Sequence, residues 1–323
     1  MSDDNNPPPS NRRALLKGAG ALGFMALGGS LANLLTDAQK YVQSKVSNIV
    51  IESNSSNSTG MDSRRLSLIL KGVSDLEAIS FPFSGEFGLT VGENHPDTPK
   101  DVNGTIIAAN PVQKYIRLNN GSPTLIKGTA NGDYNRNIIT IGSPRSNRSS
   151  RDLLGYHGKE GVYYQGKPLV DLDKTSDIRL PIEHVCNGNL IEGSVKYSIG
   201  GEARHVRKSA LFDRGARTDN ILTPRLNASG EITRDYLLIS LVPNIRSNQK
   251  DSGHRVLEIA GIHSPGTVAF SKLIEDQLLM NELTRQIKST NSQFWQALIS
   301  VELSEATKSY EVEGVIKAVP VVI

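Results

Sequence analysis

Arg255-Val-Leu-Glu-Ile-Ala-Gly261, running straight into Ile262-His-Ser-Pro-Gly-Thr267, is the stretch on which the reading of the fold turns. An apolar run interrupted by a single carboxylate reads as a core strand, and the Gly/Ser/Pro loop behind it reads as its turn. Beyond the loop, Phe270, Leu273, Ile274 and Leu278 fall at i, i+3, i+4 and i+8, which predicts a long helix over about 267–288 with these side chains on one face. The same step occurs upstream. Asn137-Ile-Ile-Thr-Ile141 is a short apolar strand, Gly142-Ser-Pro-Arg-Ser-Asn147 its loop, and Ser149 begins a helix with serines placed for its N-cap. Tyr236 to Val242, closed by Pro243, adds another strand, and two more follow at roughly 294–303 and 309–322. The sequence therefore predicts an α/β domain over 136–323, a mixed sheet with strand–Gly loop–helix junctions.

Working outward, hairpin character is expected around Val162–Leu172 and Leu190–Ser198. Residues 64–135 read as a small β-rich or irregular region, with strands at Leu66–Leu70, Gly88–Val91, Thr105–Ala108 and Lys114–Leu118. Turn clusters such as Asn119-Asn-Gly-Ser-Pro123 separate them. Residues 33–63 read as a helix followed by a polar linker, Ser53 to Ser63.

The N-terminus reads as an address. After a polar, Pro-rich lead come Arg12-Arg13-Ala14-Leu15-Leu16-Lys17 and a thin apolar segment, Gly18 to Ala32, in which five glycines make a poor helix. The segment is shorter than the roughly 20 apolar residues a membrane span needs. This pattern resembles the twin-arginine family of export signals, with Asn11 and Leu15 departing from the residues favoured at those positions. The resemblance implies a signal peptide over 1–32 cleaved near Ala32, the twin-arginine translocon as partner during export, membrane contact only through that segment, and a body that folds before it crosses. The expected location is periplasmic or extracellular.

Composition narrows the function classes. The 323 residues are 37% hydrophobic, enough for a sizeable core, and 29 Gly with 15 Pro favour short elements and many loops. Aromatic content is 5%, with Trp295 alone of its type, which argues against a stacking platform for sugars or bases. Net charge is +3, from 36 basic and 33 acidic residues, so no nucleic-acid partner is expected. Cys186 is the one cysteine, so the fold uses no internal disulfide. The histidines show no metal-ligand spacing, and no metal is expected.

Chemistry is placed at the two Gly loops. Free backbone N–H groups at the carboxyl ends of core strands suit a small anion. The candidate ligand-binding residues are Gly142, Ser143, Arg145 and Asn147 in one loop and Gly261, His263, Gly266 and Thr267 in the other. Neither loop matches a dinucleotide fingerprint or a P-loop, so no cofactor is specified. Glu258 either faces solvent from a half-buried strand or, if buried, needs a cationic or hydrogen-bonding partner. Asp171, Asp173 and Asp177 read as a solvated turn lacking the Gly and Glu of a calcium loop. Arg204 to Lys208, with Arg214 and Arg217, reads as a solvated basic face.

The stretches 139–147, 235–244 and 256–267 resemble a poorly characterised bacterial α/β domain often attached to winged-helix regulators, over about 136–290. That resemblance implies ligand sensing or interaction more than a known reaction. An export signal in place of a DNA-binding module argues against intracellular regulation. The expectation is an exported, non-enzymatic module that binds a small anion. The alternative is a hydrolase or transferase in which Arg145 positions substrate and His263 or Glu258 acts as acid or base.

Overall fold

The computed structural model describes residues 85–91, 121–125, 134–156, 161–173, 178–187, 191–218, 220–247 and 253–323. The chain divides into two units, Met1–Ile51 and Glu52–Ile323, and every described residue lies in the second. The expected signal, the helix and linker over 33–63, the strands at 66–70, 105–108 and 114–118, and Asp177 lie outside the described residues.

The first strands are β1 (Gly85–Val91), β2 (Gly121–Leu125) and β3 (Asn137–Ile141), followed by helix α1 (Arg148–Leu153). Short strands follow: β4 (Tyr163–Tyr164), β5 (Lys167–Pro168), β6 (Ile182–His184), β7 (Ser194–Ile199), β8 (Glu202–Arg207), β9 (Leu211–Asp213), β10 (Ile221–Leu222) and β11 (Arg225–Leu226). The chain then forms β12 (Ile232–Pro243), β13 (Arg255–Gly261), helices α2 (Ser264–Val268), α3 (Phe270–Glu275) and α4 (Gln277–Ser289), β14 (Trp295–Ser304) and β15 (Ser309–Pro320). The main sheet has the order β15-β14-β12-β13-β3-β1-β2, with β11 on β12. Pairing is parallel among β2, β1, β3 and β13 and antiparallel among β13, β12, β14 and β15. The sheet is mixed, as expected. Among the described residues helices are few, however, and the fold there is strand-rich rather than clearly α/β. The described residues between α1 and β12 form two short hairpins, the small β10-β9-β6 sheet and β11, so among the described residues the helices are α1 and those after β13.

Both sheet faces are buried, which is why its central strands read as near-continuous apolar runs. One face carries Ile139, Ile141, Leu257, Ile259, Leu237, Ile239 and Leu241, packed with Phe270, Leu273, Ile274, Met280, Leu283 and Ile287 of α3 and α4. The opposite face carries Ile138, Val256 and Val242, packed with Leu153, Tyr156, Leu169 and Val185. Leu238 and Leu298 on that face meet Ile182 and Leu211 of the small β10-β9-β6 sheet.

Three expectations are corrected in detail. The long helix is three shorter ones: Asp276 adopts an extended conformation and its carboxylate accepts the N–H groups of Leu278 and Leu279, restarting the helix. That break turns Leu278 outward, 74% exposed, while Phe270, Leu273 and Ile274 stay buried. The turn cluster at 119–123 contributes Gly121 to Pro123 to β2, at the sheet edge, where proline is tolerated. Strands β1 and β2 thus belong to the same sheet as the later strands instead of standing in a separate region. The opposite edge, β15, shifts register twice against β14, and Gln286 Nε2 donates to the Val315 carbonyl at 3.2 Å. These features blunt an exposed edge against pairing with other chains.

Gly261 and Gly266 let α2 lie against the main sheet. A Cβ on Gly266 would run into the Tyr236 carbonyl, and one on Gly261 into the backbone of His263 and Thr267. Gly266→Ala is expected to lower the urea unfolding free energy by at least about 1–3 kcal/mol. Gly314→Ala, where a Cβ meets open space, should change it by less than about 0.5 kcal/mol. Equal effects would show that this close approach does not constrain the fold.

Candidate functional site

The two loops sit side by side because β3 and β13 are adjacent and parallel, and Gly142 N donates to the Ile259 carbonyl at 2.9 Å. Their chemistry differs. In the loop after β13 nearly every N–H is satisfied from within: Gly261 N by Thr267 Oγ1 at 2.8 Å, Ile262 N by the Tyr236 carbonyl at 3.1 Å. The N–H groups of His263 and Gly266 both donate to Asp235 Oδ2, at 3.1 and 2.9 Å. An internal carboxylate therefore occupies the place an external anion would take at this helix start. Asp235 is fully buried, and burial pushes its pKa up to about 7 although the Gly266, Tyr236 and His263 N–H groups oppose the shift. Asp235 Oδ1 has no hydrogen-bond partner among the described residues.

His263 faces the segment that joins β8 to β9. Its Nε2 accepts the Ser209 N–H at 3.2 Å, so the ring lone pair is engaged. Burial, then Arg145 and Lys208, push its pKa down to about 3. Tyr197 from the β7–β8 hairpin lies against the ring, centroids 6.3 Å apart, and its hydroxyl donates to Ser264 Oγ at 3.4 Å. The same joining segment is held from the other loop, where Arg145 Nη1 donates to the Lys208 carbonyl at 3.2 Å. The strap at 208–210 thus crosses the carboxyl ends of β3 and β13.

In the loop after β3, Asn147 is a buried cap. Its Oδ1 accepts the N–H groups of Ser149 and Ser150, and its Nδ2 donates to Thr90 Oγ1 and the Ile141 carbonyl, both at 3.1 Å. Gly142 takes a positive φ of 101°, and its carbonyl accepts Ser150 Oγ at 2.9 Å. The Ser143 carbonyl accepts the Ser146 and Asn147 N–H groups, while the N–H groups of Ser143 and Arg145 have no acceptor among the described residues. Burial, then Arg207 and Arg151, pull the Arg145 guanidinium below its usual pKa. Arg151 Nε is held by the Pro144 carbonyl at 3.2 Å. Of the sequence-predicted residues, Gly142, Ser143 and Arg145 therefore border a polar, cationic rim. Asn147, Gly261, His263, Gly266 and Thr267 are engaged in holding the backbone.

Glu258 is buried. Its Oε2 accepts Ser240 Oγ at 2.9 Å, and its Oε1 lies 3.5 Å from His184 Nε2. Ser240 Oγ also accepts Gln296 Nε2 at 3.0 Å, and Gln296 bonds both backbone groups of Ile182. Strand register aligns Thr90, Thr140, Glu258, Ser240 and Gln296 as one buried polar row across five strands. The sequence carries a signal for this row, a lone polar residue inside each apolar strand, though not for its alignment. Cys186 keeps partial exposure, and burial of its thiol pushes the pKa up to about 12. Asp173 pairs with Arg246 at 3.0 Å. Among the described residues no three of His, Cys, Asp and Glu converge as a metal site. Arg204 pairs with Glu202, and Arg214 with the buried Glu183 at 2.9 Å.

No protein-family model, no curated protein and no solved structure matches this chain.

Asp235 and His263 give opposite pH dependences of stability. From its ordinary 3.8 up to about 7, folded Asp235 keeps a proton that the unfolded chain has lost, so its contribution falls as pH rises. From about 3 to its ordinary 6.5, His263 stays neutral while the unfolded chain is protonated, so its contribution rises with pH. Each is worth about 1.4 kcal/mol per pH unit at most, and between about pH 4 and 6.5 they offset one another. Urea unfolding across this range should show Asp235→Asn gaining stability as pH rises and His263→Gln losing it. Profiles parallel to that of the unaltered protein would refute the assignment.

Proposed function

We propose that the chain is an exported, non-enzymatic module that binds a small anion at the loop after β3. The observation that carries this reading is Arg145. Its guanidinium is largely covered, stands near Arg151 and Arg207, and is bonded to the Lys208 carbonyl rather than to a carboxylate. Neighbouring like charges repel one another, and an anion bound at the Arg145 guanidinium relieves that repulsion. The Ser143 and Arg145 N–H groups supply further donors at the same loop. Position supports it too. Strands β2 and β3 flank β1 on opposite sides, and open α/β sheets bind ligands where strand order reverses. In this reading the parallel half of the sheet acts as the α/β platform expected from the sequence. The site contracts to Gly142, Ser143 and Arg145, with Arg151 added.

The hydrolase or transferase alternative has less support. His263 would have to act with its lone pair on Ser209 N–H, and Glu258 is tied to Ser240 on the sheet face. Arg145, Asn147, His263 and Glu258 each bond different partners.

Inorganic phosphate or sulfate should raise the melting temperature saturably, and Arg145→Gln and Arg151→Gln should each weaken that response about tenfold, roughly 1.4 kcal/mol. An unchanged response in both variants means the anion binds elsewhere, and no response in the unaltered protein removes the proposal.

Export rests on Arg12 and Arg13. In a bacterial host with the twin-arginine translocon, the Arg12→Lys/Arg13→Lys double variant should accumulate uncleaved in the cytosol while the unaltered chain is recovered outside it, beginning near residue 33. Export of both forms alike would refute the signal.

A further inference from the structure

The polar row holds one gap. Thr140 Oγ1, Glu258 Oε1 and His184 Nε2 are buried side-chain atoms without a hydrogen-bond partner among the described residues. They belong to residues no more than 3% exposed. Thr140 and Glu258 are direct register partners on adjacent parallel strands, so their side chains leave the same sheet face. His184 approaches that face from β6, with Nε2 3.5 Å from Glu258 Oε1. Two groups able to pair directly stand close without making a hydrogen bond, and a third polar atom has no partner either. Native interiors seldom leave buried polar atoms so, and a bound small molecule is the usual reason.

We propose that these three atoms form a closed site for one water molecule bridging β6 to the central sheet. The chemistry of the three atoms selects it. Glu258 Oε1 is a carboxyl oxygen facing the imidazole nitrogen of His184, and the occupant must bond both. Thr140 can donate or accept, and His184 does either according to its tautomer, so a molecule with two donors and two acceptors satisfies all three in any tautomer. A metal ion would ask for more charged donors than the described residues bring together. The Tyr156 phenol fixes the rim by accepting the His184 N–H at 2.9 Å. The water completes a chain from Thr140 through Glu258, Ser240 and Gln296 to the Ile182 backbone, so both ends of β6 are tied to the sheet by polar bridges.

A high-resolution crystal structure of the full chain, with anomalous data at the zinc, copper and iron edges, tests this directly. The expected result is a single peak without anomalous signal, about 2.7–3.2 Å from all three atoms. A direct His184–Glu258 hydrogen bond with nothing between them overturns the proposal, and so does an anomalous peak. In solution, deuteron and oxygen-17 relaxation dispersion should lose one long-lived water in Thr140→Val relative to the unaltered protein. An unchanged number would also overturn it.

Discussion

The Asp235 carboxylate, accepting the N–H groups of His263 and Gly266 from inside the fold, is the interaction on which the arrangement around the strand ends depends. It fastens β12 to the start of α2 while Gly261 and Gly266 permit the close approach. With the backbone of His263 fixed, its ring is set against Ser209, the strap at 208–210 is held across the strand ends, and the Lys208 carbonyl is presented to Arg145. The geometry of the proposed anion site is therefore inherited from a carboxylate outside it.

Burial of both sheet faces imposes a second requirement. A sheet covered on one side only can turn its polar residues to water, whereas here Thr140, Glu258, Ser240 and Gln296 are held away from solvent. Aligning them in one row lets Glu258, Ser240 and Gln296 bond one another, and Gln296 extends the row to the backbone of Ile182. Polar groups scattered over the same strands would each need a separate partner from the covering hairpins. The row also gives direction to the packing, since β6 is positioned by hydrogen bonds that only one register provides.

The strands β3, β12, β13, β14 and β15 were legible in the sequence as apolar runs, and those of β3, β12 and β13 end at Gly or Pro. Both loops were legible for the same reason. The break at Asp276 was overridden by the spacing of Phe270, Leu273, Ile274 and Leu278, although aspartate is a natural N-cap and the structure uses it as one. Strand β2 was hidden because turn-forming residues also suit an edge strand. Asp235 and His184 escaped notice because their partners lie far away in sequence, and pairing across such separations leaves no local pattern. The helical weight expected of an α/β domain is missing from the described residues between α1 and β12, where short strands pack instead.

Two loops that look equivalent in sequence therefore diverge in chemistry because one is filled by an internal carboxyl group and the other is not. Where Asp235 stands, the N–H groups are paired and an outside ligand would have to displace a buried carboxylate. At Arg145 the balance runs the other way: the guanidinium carries more donors than the single Lys208 carbonyl uses, and its neighbours Arg151 and Arg207 add positive charge. An anion there can bond the remaining donors while the strap stays in place. In the proposed reading, binding uses donors that the strap leaves over. His263, the side chain expected to contact a ligand, instead holds the strap by accepting the Ser209 N–H.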